Sequence, residues 1–235
     1  TMIRQAENLR EEKSHSVSLS ADMYRRFGAF QCNLLLEGFY TRLNHVFVLE
    51  EIGKDEEHNA VIKERRNGQG AEVAGVTVEG KVAYLSLVQL QAGVTWQKSH
   101  YTRPEKWSKD SSVPAEKRIF RTPDWYGYFT ATYSPVKPLN IALSGTYTGS
   151  MIVQHMKGYI PKDIAVTTPD FFDMNLKISY DFSLYKFITL QLNAGIQNIF
   201  NAYQRDFDQG KERDSGYIYG PSMPRSYFAG AKLMF

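Results

Sequence analysis

The chain has 235 residues and a formal net charge of +3, too mild a balance to point to nucleic acid, and no Lys/Arg-rich run stands out. The lone Cys32 excludes an internal disulfide framework, and no stretch approaches eighteen consecutive apolar residues, which excludes a transmembrane helix. With 15 Tyr and 14 Phe, the composition instead favours strands.

The chain opens abruptly on "TMIRQAENLREEKSHS" without a signal peptide, so either a cytoplasmic protein or a missing beginning is expected. From there the dominant pattern is alternation of period two. It is weaker at 16–25, 30–41, 71–79, 82–97 and 125–134, and clear in "LNIALSGTYT" (139–148). In "FFDMNLKISYDF" (171–182), Phe172, Met174, Leu176, Ile178, Tyr180 and Phe182 share one face, while Asp173, Asn175, Lys177, Ser179 and Asp181 take the other. "FITLQLNAGIQN" (187–198) repeats this, with Leu190 and Leu192 opposed to Gln191 and Asn193. The last segment, 226–235, sets Tyr227, Ala229, Ala231, Leu233 and Phe235 on one face and runs to the final carboxylate. About nine antiparallel strands are expected, with no helical period anywhere.

Two features favour a membrane barrel over a soluble sandwich or jelly roll. Aromatics mark the strand ends: Trp96, Trp125, Tyr133, Tyr147, Phe172, Phe182, Tyr227 and Phe235. Phe172 and Phe182 lie roughly 33 Å apart along a strand, or about 25 Å vertically at a tilt near 40°, the height of an outer-membrane apolar band between aromatic girdles. The connections also alternate in length. Short turns are expected at "FGAF" (27–30), "VEGK" (78–81), "SPVK" (134–137) and "FSLYK" (182–186), and long loops at about 50–70, 98–124, 149–170 and 199–225. Short periplasmic turns and long external loops belong to a transmembrane β-barrel. Bacterial single-chain barrels have even strand numbers, so nine strands are read as part of a larger barrel.

The residues of the last third carry a family resemblance. "LNAGIQNIFNAYQRDFDQGKERDSGYIYGPSMPRSYFAGAKLMF" (192–235) resembles the closing two strands and last external loop of TonB-dependent outer-membrane receptors, in the form common in Bacteroidetes. "GIQNIFNAYQ" is similar to the family's penultimate strand with its exit, and "MPRSYFAGAKLMF" to its final strand, whose terminal aromatic, here Phe235, serves barrel assembly. "FRTPDWYGYFTATYSP" (120–135) and "FFDMNLKISYDF" stand where that family places descending strands. The resemblance implies an all-β fold: residues 1–235 as the C-terminal part of a barrel with 22 strands when complete. It further implies a plug domain and early strands outside this sequence, and energy drawn from an inner-membrane TonB complex.

Ligand candidates fall on the long loops, where side chains converge over the mouth. "YTRPEKWSKDSSVPAEKRIFR" (101–121) is rich in basic residues, holds Tyr101, Trp107 and Arg121, and could attract an anionic chelate. "MIVQHMKGYIPKD" (151–163) offers His155 and Tyr159, and the last loop offers Arg205, Tyr217 and Tyr219. A solvated loop face is the alternative for each. "DFDQGKERD" (206–214) gathers four acids but misses the calcium-loop template, because Gly210 and Lys211 fall at the wrong positions; carboxylates paired with the interleaved Arg205, Lys211 and Arg213 are expected instead. There is no G-x-S-x-G, P-loop or Cys/His metal spacing, so no catalytic residue, metal or cofactor is expected.

The functional expectation is active uptake of a scarce small nutrient, such as a ferric siderophore, cobalamin or a similar chelate. The expected partners are outer-membrane lipid, the plug and remaining strands, the TonB complex and the chelate. A passive or structural barrel and a receptor for glycans are the alternatives.

Overall fold

The computed structural model describes residues 2–55, 57–58 and 60–235. Every regular element among them is a strand. The first are β1 (Met2–Gln5), β2 (Lys13–Phe27), β3 (Phe30–Asn44), β4 (Phe47–Asp55) and β5 (Ala60–Asn67). Next come β6 (Ala71–Tyr84), β7 (Val88–Glu105), β8 (Glu116–Arg118), β9 (Trp125–Val136) and β10 (Leu139–Thr148). The last are β11 (Ile152–His155), β12 (Ile164–Thr167), β13 (Phe171–Tyr185), β14 (Ile188–Gln197) and β15 (Ser226–Met234).

Nine of these follow one hydrogen-bonded path, β2–β3–β6–β7–β9–β10–β13–β14–β15, and every neighbouring pair along it is antiparallel. They are the nine segments whose alternation the sequence displays. Register carries that alternation across the sheet. One row reads Met23, Leu34, Gly80, Ala92, Phe129, Gly145, Met174, and a parallel one Leu90, Ala131, Leu143, Leu176, Ile196, Tyr227. The intervening row on the opposite face reads Tyr24, Asn33, Lys81, Gln91, Thr130, Ser144, Asn175. One face is therefore predominantly apolar and the other predominantly polar.

The apolar face is not buried against anything in the chain: Leu19 is 81% exposed, Leu34 48% and Leu192 44%. A sandwich would cover such a face with a second sheet. Here the buried apolar residues are Ala71, Ile152, Val153, Phe171 and Tyr217, all at the long-loop end. The compact core lies above the sheet, and the apolar face is left for lipid. Aromatics mark both of its borders, with Trp96 beside Trp125 (6.3 Å between centroids) at the long-loop end and Tyr180 beside Phe182 (4.6 Å) near the short turns. On the polar face, side chains satisfy each other: Gln91 Nε2 donates to Tyr128 Oη (2.8 Å), Gln191 Nε2 to Asp181 Oδ1 (2.7 Å), and Thr77 and Thr95 share a hydrogen bond (2.9 Å).

At one point an aromatic ring covers a glycine across strands. A Cβ on Gly145 would lie 2.2 Å from Phe129 Cε1, so the bare backbone is what lets the ring lie flat there. Phe129 in turn stacks with Phe172 (6.3 Å) and Phe172 with Phe200 (5.7 Å), continuing the long-loop aromatic border.

Two expectations need correction. "VEGK" (78–81) is not a turn: β6 runs through it, and the reversal comes at 85–87, where Leu85 takes a left-handed φ of 49°. Nothing in "LSL" signals a turn, whereas Gly80 offers a false signal from an extended backbone. The last two short turns lie a few residues later than expected, after Val136 and Tyr185. The long loops, secondly, are only partly irregular. β4 and β5 form a hairpin, with β1 added in parallel to β5, and β11 pairs with β12. β7 itself continues to Glu105, well past the aromatic border.

Candidate functional site

At the long-loop end, the β4–β5 hairpin, the end of β7 with the segment after it, and the region around β11 enclose a cavity of about 820 Å³. That is within the usual range for small-molecule pockets. Tyr101 and Trp107 line it, together with Phe120. Trp107 packs edge-on against Phe120 (5.3 Å, 65°), and its indole Nε1 donates to Pro114 O (3.1 Å), so the ring offers its apolar surface rather than its N–H. Burial, and then the nearby Glu105 charge, push the Tyr101 phenol pKa up, keeping it neutral.

The hairpin is fastened over β7 at one buried carboxylate. Glu105, 7% exposed, accepts from Gln69 N (2.8 Å) and pairs with Arg66 Nη2 (3.6 Å), while Arg66 Nε also reaches Glu50. The contact is close because Gly68 is bare: a Cβ there would meet Val48 Cγ1 at 2.8 Å and Glu105 Oε2 at 3.0 Å. On the other side, Asn67 clips the N-terminal segment to the hairpin, donating to Arg10 O (2.8 Å) and accepting from Arg10 N (2.7 Å). Residues 50–70 supply the cavity with Lys63 and Arg66, which sequence reasoning misses because the segment reads as a loop; in "AVIKERRN" three apolar residues precede five polar ones, so no alternation marks the strand.

Beside the cavity the other three long segments interlock. Arg121, with a left-handed φ of 60°, donates from its backbone N to Ile152 O (2.8 Å), from Nη1 to Ile218 O (2.7 Å) and from Nη2 to Gly216 O. His155, 6% exposed, lies against Tyr217 and places Nε2 at 3.0 and 2.9 Å from the two oxygens of Asp208. Gln204, 1% exposed, bonds Tyr217 O through Nε2 (3.1 Å) and Tyr219 N through Oε1 (2.8 Å). Ser108 Oγ donates to Asp163 Oδ2 (2.6 Å), joining the segment after β7 to the one after β11.

Asp206 holds two phenols, accepting from Tyr217 Oη (2.8 Å) and Tyr219 Oη (2.6 Å). Burial pushes the Asp206 pKa up, but the hydrogen bonds from Tyr219 and Tyr217 outweigh it and bring the carboxyl below its ordinary range. Desolvation and then the Asp206 bond push Tyr217 up strongly and Tyr219 up to about 12. The acids of 206–214 are thus not paired with the interleaved bases as expected. Asp208 takes His155 and the Asp214 backbone N–H, Asp214 takes the N–H groups of Met156 and Gly216, Arg213 reaches Gly210 O, and Arg205 stacks over Tyr203 (5.3 Å).

The structure therefore divides the sequence candidates. Tyr101 and Trp107 line the cavity; Arg121, His155, Tyr217 and Tyr219 come together in the interlock with their polar groups engaged; Tyr159 (56% exposed) and Arg205 stand on the surface. Phe235, 90% exposed, lies at the opposite end just beyond β15.

The family model described as TonB dependent receptor-like, beta-barrel, matches residues 1–199. No curated protein matches the chain. Among solved structures, the fold is similar to the ferripyoverdine receptor of the Pseudomonas aeruginosa outer membrane (TM-score 0.64, 14% identity, 96% of this chain and 27% of that one). It is also similar to the ferric enterobactin receptor of the same organism (TM-score 0.62, 16% identity, 99% and 32%). A third is the ferric-catecholate import receptor Fiu of E. coli (TM-score 0.60, 18% identity, 97% and 28%). The chain thus spans about a third or less of the length of these structures. With an apolar sheet face open to lipid and its buried core in the long loops, the chain belongs to the TonB-dependent receptor β-barrel family of the Gram-negative outer membrane, a family of receptors rather than enzymes.

Proposed function

We propose that the chain is the C-terminal part of the barrel of a receptor that takes up a scarce small nutrient, a ferric siderophore or similar chelate, across the outer membrane. In this reading a plug domain and earlier strands complete the protein, and an inner-membrane TonB complex supplies the energy. The long loops face outward and the short turns face the periplasm. The observation that carries the reading is the cavity of about 820 Å³ on the long-loop side, lined by Tyr101 and Trp107. Its walls are held by the Arg121, His155, Tyr217 and Tyr219 interlock, while Tyr159 and Arg205 meet the ligand at the surface. Phe235 serves barrel assembly.

The test is uptake of radiolabelled ferric complexes by cells carrying the intact gene, its deletion, and the intact gene without TonB. Uptake that disappears in both altered strains supports the reading. A passive or structural barrel would leave uptake unchanged when TonB is removed, and that result overturns the proposal.

A further inference from the structure

The two borders of the apolar face are charged differently. At the long-loop end cations meet carboxylates: Arg42 pairs with Glu72 (3.7 Å), and Lys98, near the Trp96–Trp125 border, reaches Asp124. At the short-turn end they do not. Residues 23–36, 80–93, 132–142 and 182–190, which carry the four reversals, contain no Asp or Glu. Arg25, Lys137 and Lys186 stand exposed at three of these reversals and form no ion pair among the described residues. The acids further along the strands are engaged on the polar face: Asp22 accepts from Asn33 Nδ2, and Asp181, whose backbone N–H donates to Pro138 O beside Lys137 (2.9 Å), accepts from Gln191 Nε2 (2.7 Å). The carboxylate of Phe235, just beyond β15, pairs with none of the three cations.

Each of these cations is set among apolar side chains that the chain leaves bare. Met23, Arg25 and Phe27 alternate along β2 on the apolar face, and Phe27 is 63% exposed. Exposed Val136 precedes Lys137, while Tyr185 and Phe187 (80% exposed) flank Lys186. A turn in water gains nothing from this mixture. At a membrane interface the rings lie among acyl chains, and the long cationic side chains extend to the headgroups. Arg25, on the row that faces lipid, would be left unpaired in hydrocarbon and is satisfied by an anion at the border. A basic cluster beside a membrane, with no carboxylate to offset it, favours anionic over zwitterionic lipid. We infer that the short-turn rim binds anionic phospholipid of the adjoining leaflet, with Arg25, Lys137 and Lys186 taking the headgroup phosphates and Phe27, Tyr185 and Phe187 the acyl chains beside them. The inference is independent of the uptake reading above.

The test uses the full-length receptor in detergent, exchanged into an equal mixture of dioleoyl phosphatidylglycerol and dioleoyl phosphatidylcholine, with the retained lipids counted by native mass spectrometry. Phosphatidylglycerol should be retained over phosphatidylcholine, a preference that falls as salt rises. Combining Arg25→Gln, Lys137→Gln and Lys186→Gln should lower that preference by about tenfold or more in a receptor that keeps its heat-modifiability, while Lys211→Gln, in the last long loop, leaves it unchanged. If the triple variant does not assemble, Lys137→Gln and Lys186→Gln decide singly, each lowering the preference by roughly three- to fivefold. Phe187→Ser should lower retention of both lipids and leave their ratio alone. The soluble headgroup glycerophosphoglycerol, at the same concentration, should displace neither. Equal retention of the two lipids, an unchanged preference in the assembled variants, or displacement by glycerophosphoglycerol, which would mark a site for free phosphate, would overturn the inference. So would an acidic protein that co-purifies with the receptor and is lost from the variants.

Discussion

The imidazole of His155 lies flat on the ring of Tyr217, with centroids 3.7 Å apart and planes 8° from parallel. One residue belongs to β11 and the other to the irregular segment before β15. Because the same imidazole faces Asp208 and the same phenol donates to Asp206, the stack is the centre of a joint between two long loops.

Tyr217→Ala should open that joint. A buried aromatic is lost, at a cost of about 3 kcal/mol, together with one of the two donors to Asp206. Hydrogen exchange at residues 152–155 and 204–219 should quicken while the nine-strand sheet keeps its protection. Uniform quickening throughout the sheet would show that the joint is not a local unit.

The joint should also respond to pH in a defined direction. The Asp206 pKa is lowered by folding, so its contribution is present above the ordinary carboxylate value and is lost as pH falls through the folded one. Tyr219 is raised from 10.0 to about 12, so its contribution is complete below pH 10 and is lost as pH rises from 10 to about 12. Loop protection followed by hydrogen exchange, or by Tyr217 and Tyr219 absorbance, should therefore hold through neutral pH and fall at both extremes. Loss of protection on passing from pH 5 to pH 8 would contradict this assignment.

The two faces of β14 should tolerate charge differently. Leu192 is 44% exposed on the apolar face, and Leu192→Arg should destabilise the assembled barrel by about 2–4 kcal/mol. Gln191→Arg, its neighbour, stands opposite Asp181, to which Gln191 already donates, and should assemble nearly normally. Heat-modifiability on gels reads both. Equal damage would mean that the strand is buried on two sides.

Gly145→Val should disturb the aromatic border rather than the ladder. Its Cβ would occupy the place of the Phe129 ring, at a cost of about 1–3 kcal/mol. Pairing it with Phe129→Ala should recover part of that loss, because the clash then disappears. No recovery in the double variant would indicate that the backbone, not the ring, sets the requirement.

Sidedness can be read by cysteine labelling of intact cells. Ser112 and Ser215 are exposed among the long loops, whereas Ser134 lies beside the short turn at Leu87, to whose carbonyl its backbone N–H donates (2.8 Å). Labelling is expected at the first two positions and not at the third. The opposite pattern would reverse the direction of every strand.

The sequence by itself determined the nine barrel strands, because alternation is a property of consecutive residues: Phe172 to Phe182 and Leu190 to Ile196 state their faces without reference to any partner. It also determined the aromatic borders and the loop position of Trp107 and Tyr217, whereas Tyr101 and His155, expected in loops, lie in β7 and β11. Only the tertiary structure decided which of these line a cavity and which brace its wall, since the Arg121 bonds to Gly216 and Ile218 and the His155 bond to Asp208 join residues 53 to 97 positions apart. The hairpin that brings Lys63 and Arg66 over β7 depends on Glu105, about forty residues away, and the turn at Leu85 is set by strand register rather than by turn-forming residues. Local periodicity records which face a residue takes; the pairing of distant loops is settled by hydrogen bonds and charges that meet only after the sheet has formed.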